Sequence, residues 1–513
     1  MGRKERHFAP LVSVSVEDLV PADHFYRRLD AHLDLSFVRE WVRDKYAARG
    51  RPAIDPVVFF RLQLVMFFEG LRSERQLMRL AADRLSVRWY LGYDLDEPLP
   101  DHSSLSKIRE RYGVDIFRRF FEAIVARCQE AGLVWGGELY IDATQVEANA
   151  AVASLRPRFA VDTHLRELFS AVESTPSEEA EPAADTEQPS ASTASVPLSF
   201  PSPAADVGGL AAVNAARHDW IASEGQPQRD VAHGSYQRRA DFAMSTTDPD
   251  ATVRRRDAGT PRLGYQAHYV VDGGKARIIL QSLVAPAEVT ENQPMLDLLW
   301  RARFRWRLRP RHVTGDTRYG TVENIRAIEE AGIRAYVPLA DNDKRTPRFS
   351  RRDFTYDPER DTYTCPQGVV LPFASFSAAE QLKLYYTDPA TCNACPLKAR
   401  CTTTDQGRRV RRHVDEAYVE RVRAYHGTAS YERARRKRQV WVEPLFAEAK
   451  DWHGLRRFRL RGLAKVNAEA LITASGQNLK RLLSRGGWGR RPWPGGAPGL
   501  RVEAAAPAPI VAA

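Results

Sequence analysis

Cysteine is scarce in this chain: five residues in 513 are too few for a disulfide scaffold, and a reducing compartment would keep them as thiols. No apolar stretch is long enough to span a bilayer. The richest, Val57–Leu71, is interrupted by Arg61, Gln63 and Glu69 and predicts a buried helix instead. Met1-Gly2-Arg3-Lys4-Glu5-Arg6 leads into polar sequence without the apolar core of a secretion signal, so the protein is expected in the cytoplasm and away from membranes. A glycine-rich phosphate loop is lacking, since Asp272-Gly273-Gly274 suits a turn, and no nucleotide cofactor is expected. No internal repeat is evident. His102, His268, His312 and His453 are scattered, with neither metal-ligand spacing nor a partnered nucleophile. Ser103-Ser104 suits helix capping rather than nucleophilic attack.

Positive charge is abundant. The net charge is +11, and its distribution says more than its size. Basic runs recur at Arg254–Arg256, Arg408–Arg412, Arg433–Arg438 and Arg456–Arg461, and an alternating stripe joins Arg301, Arg303, Arg305, Arg307, Arg309 and Arg311. Solvated helix faces usually mix both signs. These runs mostly do not, which favours a polyanionic partner whose phosphates release counterions when neutralised.

The pattern along the chain divides it. Residues 1–132 are almost wholly helical in periodicity, with segments Phe25–Leu33, Phe37–Tyr46, Val57–Leu71, Ser73–Ala82, Val87–Tyr93, Ser104–Tyr112 and Ile116–Ala131. Asp55-Pro56 and Asp101 stand where caps are expected, and Gly70 and Gly132 where helices end. Such short helices fit a helix-turn-helix DNA-binding module and equally a plain helical bundle. Cys128, on a face with Phe117, Phe121, Ile124 and Val125, reads as a core filler. From 133 to 341 strands enter: Glu138–Asp142 ends in a carboxylate, Tyr265–Val271 and Ala276–Val284 form a hairpin, and Arg311–Gly315 leads to Asp316. Helices near Pro294–Trp306 and Val322–Ala331 alternate with these and with Ala335–Pro338, which predicts a mixed α/β sheet. Residues 174–209 are rich in Ser, Pro, Ala and Glu and are expected to be a disordered insertion, as is the tail 486–513. Residues 342–435 are polar and hold the cysteine cluster. Two helices follow, near Val440–Lys450 and Val466–Leu483.

Phosphoryl transfer without a covalent intermediate is commonly run by two metal ions about 4 Å apart, held by acidic side chains on rigid elements. Asp142 and Asp316 each stand at a strand end beside small residues. Either one alone is equally an ordinary capping aspartate. Glu443 precedes Pro444, which suits a first helical turn, so it lies at a helix start, where a glutamate also simply complements the dipole. Lys450, seven residues on, shares its face and could meet a phosphate.

Several segments together resemble an insertion-sequence transposase of the DDE class and are similar to the insertion-sequence eleven-eighty-two group. Gly50–Pro56, Leu91-Gly92-Tyr93 and Pro100–Ser104 resemble its helical amino-terminal domain. Tyr140-Ile141-Asp142-Ala143-Thr144 resembles its first catalytic strand, and Ser245–Ala251 with Gly264-Tyr265-Gln266 the entry to the second. Gly315–Gly320 resembles the second Asp motif, and Glu443 with Lys450 and Gly454–Gly462 the Glu motif with its arginine-rich sequel. The family's arginine four residues before the glutamate falls here on Gln439, with Arg438 one residue further off. Glu448 is the fallback for Glu443.

The resemblance implies a ribonuclease H-like mixed sheet core (133–341 and 436–485) with an all-α DNA-binding domain before it and a polar, cysteine-bearing insertion within it. It implies catalytic, metal-holding Asp142, Asp316 and Glu443 using Mg²⁺ or Mn²⁺, and DNA contacts from Lys450, Arg438, Arg456, Arg457, Arg459 and Arg461. Its partners would be the element's terminal inverted repeats and target DNA, bound by a homo-oligomer associated with the nucleoid. The reaction would be cleavage at the element's ends and transfer of the freed 3′-hydroxyl to target DNA. Two other readings stand beside it: a metal-dependent nuclease of the same fold without strand transfer, and a catalytically silent DNA-binding zinc protein.

Cys365, Cys392, Cys395 and Cys401 include one C-x2-C pair and could form a tetrahedral structural Zn²⁺ site, although the outer spacings are irregular. The other reading is reduced thiols in a small core. Trp441, beside Glu443, suits core packing better than base stacking.

Overall fold

The computed structural model describes residues 14–46, 54–157, 243–254, 261–340 and 347–485. The expected insertion at 174–209, the tail from 486 and Arg255-Arg256 lie outside these residues.

The amino-terminal region is built from α1 (Val16–Leu19), α2 (Phe25–His32), α3 (Phe37–Trp41), α4 (Pro56–Phe68), α5 (Glu74–Asp83), α6 (Leu85–Leu91) and α7 (His102–Glu130). Side chains start five of them: Ser15 accepts the Glu17 amide, His24 the Tyr26 amide, Asp55 the Val57 amide ahead of Pro56, Ser73 the Gln76 amide, and Asp101 the Ser103 amide, each satisfying a donor that the first turn leaves orphaned. α4 is apolar on nearly every side, Arg61 and Gln63 excepted, and almost entirely buried, as the centre of a helical layer must be. The two helices expected on either side of Tyr112 are both present within α7: helical geometry breaks at Gly113, at φ 66° and ψ 176°, and the chain kinks there, a conformation that a residue without Cβ takes freely.

The main sheet contains β1 (Glu138–Glu147), β4 (Thr252–Arg254), β5 (Arg262–Asp272), β6 (Ile279–Pro286), β7 (His312–Thr314) and β8 (Arg334–Tyr336), while β2 (Leu155–Pro157) and β3 (Ala243–Ser245) form a separate ribbon. β5 runs antiparallel to β1, and both β4 and β6 lie along its other edge. β7 lies parallel to β1 on the opposite side and β8 parallel beyond it. The hairpin expected around Asp272-Gly273-Gly274 is the β5–β6 pair. α8 (Met295–Arg305) leads into β7, and α9 (Val322–Glu330) joins β7 to β8.

A second sheet has β9 (Thr355–Asp357), β10 (Thr362–Thr364), β11 (Val370–Ser377), β12 (Leu382–Tyr385) and β13 (Val410–His413), each antiparallel to the next. Two short helices, α10 (Pro389–Asn393) and α11 (Lys398–Cys401), interrupt it. The chain then returns to the main sheet through α12 (Glu416–Tyr425), α13 (Ala429–Trp441), α14 (Glu443–Trp452) and α15 (Leu463–Arg485).

α15 joins the halves. Asn467 exchanges two hydrogen bonds with the Val284 backbone (2.8 and 2.9 Å), and Asn478 does the same with Ile279 (2.9 and 2.8 Å). Eleven residues is about three helical turns, so both amides face β6 and cover main-chain groups that an edge strand would leave open. The opposite face of α15 meets α4 and α7, and one apolar core runs from Phe59, Phe60 and Phe120 through Ile279 and Tyr269 to Leu479. Cys128 is buried in it, its thiol pushed up to about 12 by burial. Each fully buried Phe or Leu there stabilises by about 1.5–3 kcal/mol. Among the described residues no helix is long and apolar enough to cross a membrane.

Candidate active site at the end of the parallel strands

The parallel β1–β7 register stops at Tyr140 opposite Thr314. Asp142 and Asp316 are each two residues beyond that pair, so the two acids emerge side by side at the same end of the sheet, where open α/β sheets bind ligands. The sequence placed Asp142 at a strand terminus. β1 in fact continues to Glu147, because Gln145, Val146 and Glu147 still pair with Gln266, Tyr265 and Gly264 of β5. Asp142 is thus a mid-strand residue whose β7 neighbour has ended. Asp316 caps a short 3-10 turn, Thr317–Tyr319, accepting the Arg318 amide at 2.9 Å. Only a glycine fits before it: a Cβ on Gly315 would lie 2.8 Å from the Tyr319 ring.

Glu443 comes from the far side of the chain. Pro444 lacks the amide that would bond the Val440 carbonyl, which accepts from Arg277 instead (3.2 Å). The helical path therefore breaks between α13 and α14, with Glu443 first in α14, as the proline suggested. α13 is anchored by Lys437, which donates to Glu138 (2.6 Å) and the Gly273 carbonyl (2.7 Å), and by Trp441, which donates to Gly274 (2.9 Å). That anchorage aims Arg438 inward. Its guanidinium lies 2.9 Å from Asp142 and 4.0 Å from Glu443. Arg438 therefore reaches the site although Gln439 holds the family's position. Trp441 is half-buried, and its hydrogen bond fits the packing role.

The local electrostatics are strained. Asp142 is only 8% exposed. Burial pushes its carboxyl up, Arg438 and the Ala143 amide pull it down, and the charges of Asp316 and Glu291 push it up again, leaving it at about 6. Glu291, in the turn after β6, was not found from the sequence. It is buried, paired with Arg318 at 2.5 Å, and raised by burial and by Asp316 despite that arginine. A lone acid in the polar stretch Thr290-Glu291-Asn292 carries no periodic or motif signal that would single it out.

Lys450 donates to Thr144, two residues beyond Asp142 on the same face of β1. Glu448 is turned into the α14–α15 interface, where Lys480 (2.6 Å), Arg481 and Gln477 (3.2 Å each) hold it. Burial opposes its charge, but His453, Arg481 and Lys480 hold its carboxyl far below the usual range. Of the arginines after α14, Arg456 and Arg457 are exposed, Arg456 pairing with Asp451 and Arg457 meeting Ala148 and Asn149. Arg461 meets the Asn149 carbonyl, and Arg459 joins Arg109 on Glu74 of α5. His268 is buried in β5 with neither ring nitrogen bonded, and burial lowers it to about 4.

Cys365, Cys392, Cys395 and Cys401 line one cavity of about 40 Å³ beside Phe354 and Leu371. Among the described residues no three His, Cys, Asp or Glu side chains already stand as a ligand group. Beyond the last β1–β7 pair, Arg438 stands between two of the acids, Asp142 and Glu443.

Comparison with known families adds to this geometry. Residues 14–111 match a family described as Transposase domain (DUF772), and residues 364–483 match one described as Transposase DDE domain. Both matches are to transposases. Together they support a DNA transposase of the DDE kind and imply a DNA substrate and dependence on a divalent metal. The second match contains Glu443, Lys450 and all four clustered cysteines, and begins after Asp142 and Asp316. No curated protein and no solved structure matches the chain.

Proposed function

We propose that this chain is an insertion-sequence transposase, of the eleven-eighty-two kind, that cleaves its element's terminal inverted repeats and transfers the freed 3′-hydroxyl to target DNA. The observation that carries the reading is that Asp142 on β1 and Asp316 after β7 each stand two residues beyond the last β1–β7 pair, with Arg438 2.9 Å from Asp142 and 4.0 Å from Glu443. The strand order supports a ribonuclease H-like core: an antiparallel β1–β5–β6 set extended by parallel β7 and β8. In this reading 133–341 and 436–485 are the catalytic domain, 1–132 the DNA-binding domain and 342–435 an insertion.

Asp142, Asp316 and Glu443 would hold Mg²⁺ or Mn²⁺; oxygen donors with mixed exposure suit these hard ions, which keep some of their waters. Bound there, divalent metal would activate the attacking oxygen and stabilise the leaving one. The chain's own contribution is placement. The two strands fix the aspartates, and the α13–α14 break presents Glu443, which is 56% exposed at its side chain. Arg438 balances Asp142 until DNA or metal arrives, and its planar fork also suits a phosphate. Lys450, Arg456, Arg457, Arg459 and Arg461 would contact DNA, with Arg459 doing so only by sharing its hold on Glu74. A homo-oligomer on DNA, associated with the nucleoid, completes the proposal. The four thiols around one cavity support a structural Zn²⁺ site that closes the second sheet.

The test is a strand-transfer assay with pre-cut ends from the element that flanks the gene. Joined products that require Mg²⁺ or Mn²⁺ support the reading. Nicking without joining would reduce the protein to a nuclease.

A further inference from the structure

We propose that the cleft between the second sheet and α12 binds a phosphodiester of the DNA backbone; this rests on the reading that DNA is the substrate. The cleft opens to solvent and holds about 490 Å³, a volume in the range of built ligand sites. Four arginines line it: Arg351 and Arg352 from the turn before β9, Arg412 from β13 and Arg423 from α12. Tyr356, Pro358 and Tyr363 supply an apolar wall. Arg412 belongs to the Arg408–Arg412 run, which the proposed reaction leaves without a task.

Glu416, Glu420 and Arg423 stand four and three residues apart on α12, so they share one face of the helix. Arg412, buried, donates to both oxygens of Glu420 (2.5 and 3.0 Å) and lies 3.9 Å over the Tyr356 ring. Its charge is matched. Arg351 and Arg423 instead converge on one carboxylate, that of Glu416. Arg351 hydrogen-bonds it, whereas Arg423 stays 3.9 Å away, and the buried Arg423 Nε has no hydrogen-bond partner among the described residues. The two side chains are 32% and 33% exposed, so their guanidinium groups remain within a ligand's reach. Arg352 is exposed at the rim. Four guanidinium groups thus meet two carboxylates, and two positive charges are left over in a concave site whose walls concentrate their field. The neighbouring acids are turned away: Asp353 accepts the Ser350 amide (2.7 Å), and Asp357 the Glu359 and Arg360 amides (3.0 and 3.3 Å). A phosphodiester brings one negative charge and two free oxygens that match the guanidinium fork, and its sugar fits the apolar wall. α12 also meets the main sheet's α9, where Tyr418 donates to Glu330 (3.1 Å), so a strand seated in the cleft is tied to the domain that carries the acids. The competing account is that these arginines only pin α12 to the second sheet.

The experiment uses the full chain and a labelled random-sequence duplex over a series of salt concentrations in Mg²⁺-free buffer, with thermal unfolding as the check on integrity. Arg423→Gln leaves Glu416 paired with Arg351, so it is expected to unfold near the parent temperature. It is expected to reduce the slope of log affinity against log salt by about 1, a loss that is largest at low salt and fades as salt rises. Arg352→Gln, at the exposed rim, is expected to do the same and serves if Arg423→Gln fails to fold. Arg423→Lys, which keeps the charge without the fork, is expected to recover the slope and only part of the affinity. An unchanged slope in both Gln variants overturns the proposal. So does affinity lost only in step with a lower unfolding temperature at the parent's slope, which would assign the arginines to pinning α12. Inorganic phosphate that raises the parent's unfolding temperature at constant ionic strength, with the DNA slope unchanged in Arg423→Gln, also overturns it and gives the cleft to a free anion. A parent chain that binds no duplex at any salt sinks the DNA reading itself, a different pattern from a parent that binds and variants that match it.

Discussion

In the main sheet β1 pairs with strands far along the chain, Leu139 meeting both Asp272 and Val313, whereas in the second sheet every strand pairs with its sequence neighbour. The first arrangement costs loop-closure entropy and is offset by a large core that includes the amino-terminal helices and α15. The second is cheap to form but has little to hold it. Its core is Phe354, Tyr363, Leu371, Tyr385 and Val410, and much of β11 is exposed. Polar staples take over there. Asp361 accepts from Tyr356 (2.7 Å), Tyr385 (2.6 Å) and Lys383 (2.9 Å), which outweigh its burial and hold its carboxyl at about 2, and the four thiols line a cavity beside Phe354 and Leu371. A rigid, far-connected sheet can hold acids against their mutual repulsion. A locally built sheet of this size needs an added clamp.

Breaking the main sheet's site should have the largest effect on function and little on folding. Asp142→Ala and Asp316→Ala are expected to reduce end cleavage on the order of 10³-fold while end binding and unfolding temperature stay near the parent, measured by nicking and gel-shift assays. Loss of binding in step with cleavage would place these acids in DNA recognition instead. For the second sheet the expectation is reversed. Purified protein should contain close to one zinc per chain, and chelation or Cys395→Ser should open 347–413 to proteolysis while the main sheet stays protected. Zinc far below one equivalent leaves the thiols as core residues.

Much of this contrast could be read from the chain, though unevenly. The α4 run, the β5–β6 hairpin and the Pro444 helix start carry strong local signals, and the structure has them within a few residues. Asp142 looked terminal because polar Thr144 and Gln145 follow it; its true position depends on β5, a partner the local pattern does not reveal. The continuity of the core across residue 132 was equally hidden, since α15 supplies it from the other end of the chain. Glu291 is tied to the turn after β7 only through Arg318, a pairing that no local pattern reveals. Arg438 could be named, but only the fold aims it at Asp142.

Two smaller effects sharpen the picture of the main sheet. His268 is buried and lowered from 6.5 to about 4. Its contribution is fully present above pH 6.5, where both folded and unfolded forms are neutral, and is lost as pH falls toward 4, because only the unfolded chain then gains the proton. The loss should reach about 3 kcal/mol, and His268→Leu should flatten that limb in denaturant titrations at stepped pH. A limb of equal depth in the variant would assign the effect elsewhere. Glu448→Gln should cost about 2 kcal/mol by leaving Lys480 and Arg481 without their shared partner, yet spare cleavage per folded molecule. A catalytic loss like that of Asp142→Ala would show that Glu448, not Glu443, serves the site.

The most direct test of the three-acid site is anomalous diffraction from crystals of the full chain held in Mn²⁺. Peaks within about 2.3 Å of Asp142 and Asp316 oxygens, with Arg438 displaced from Asp142, are the predicted result. Saturating Mn²⁺ that leaves the Arg438–Asp142 pair intact and gives no peak between the two strands would contradict it.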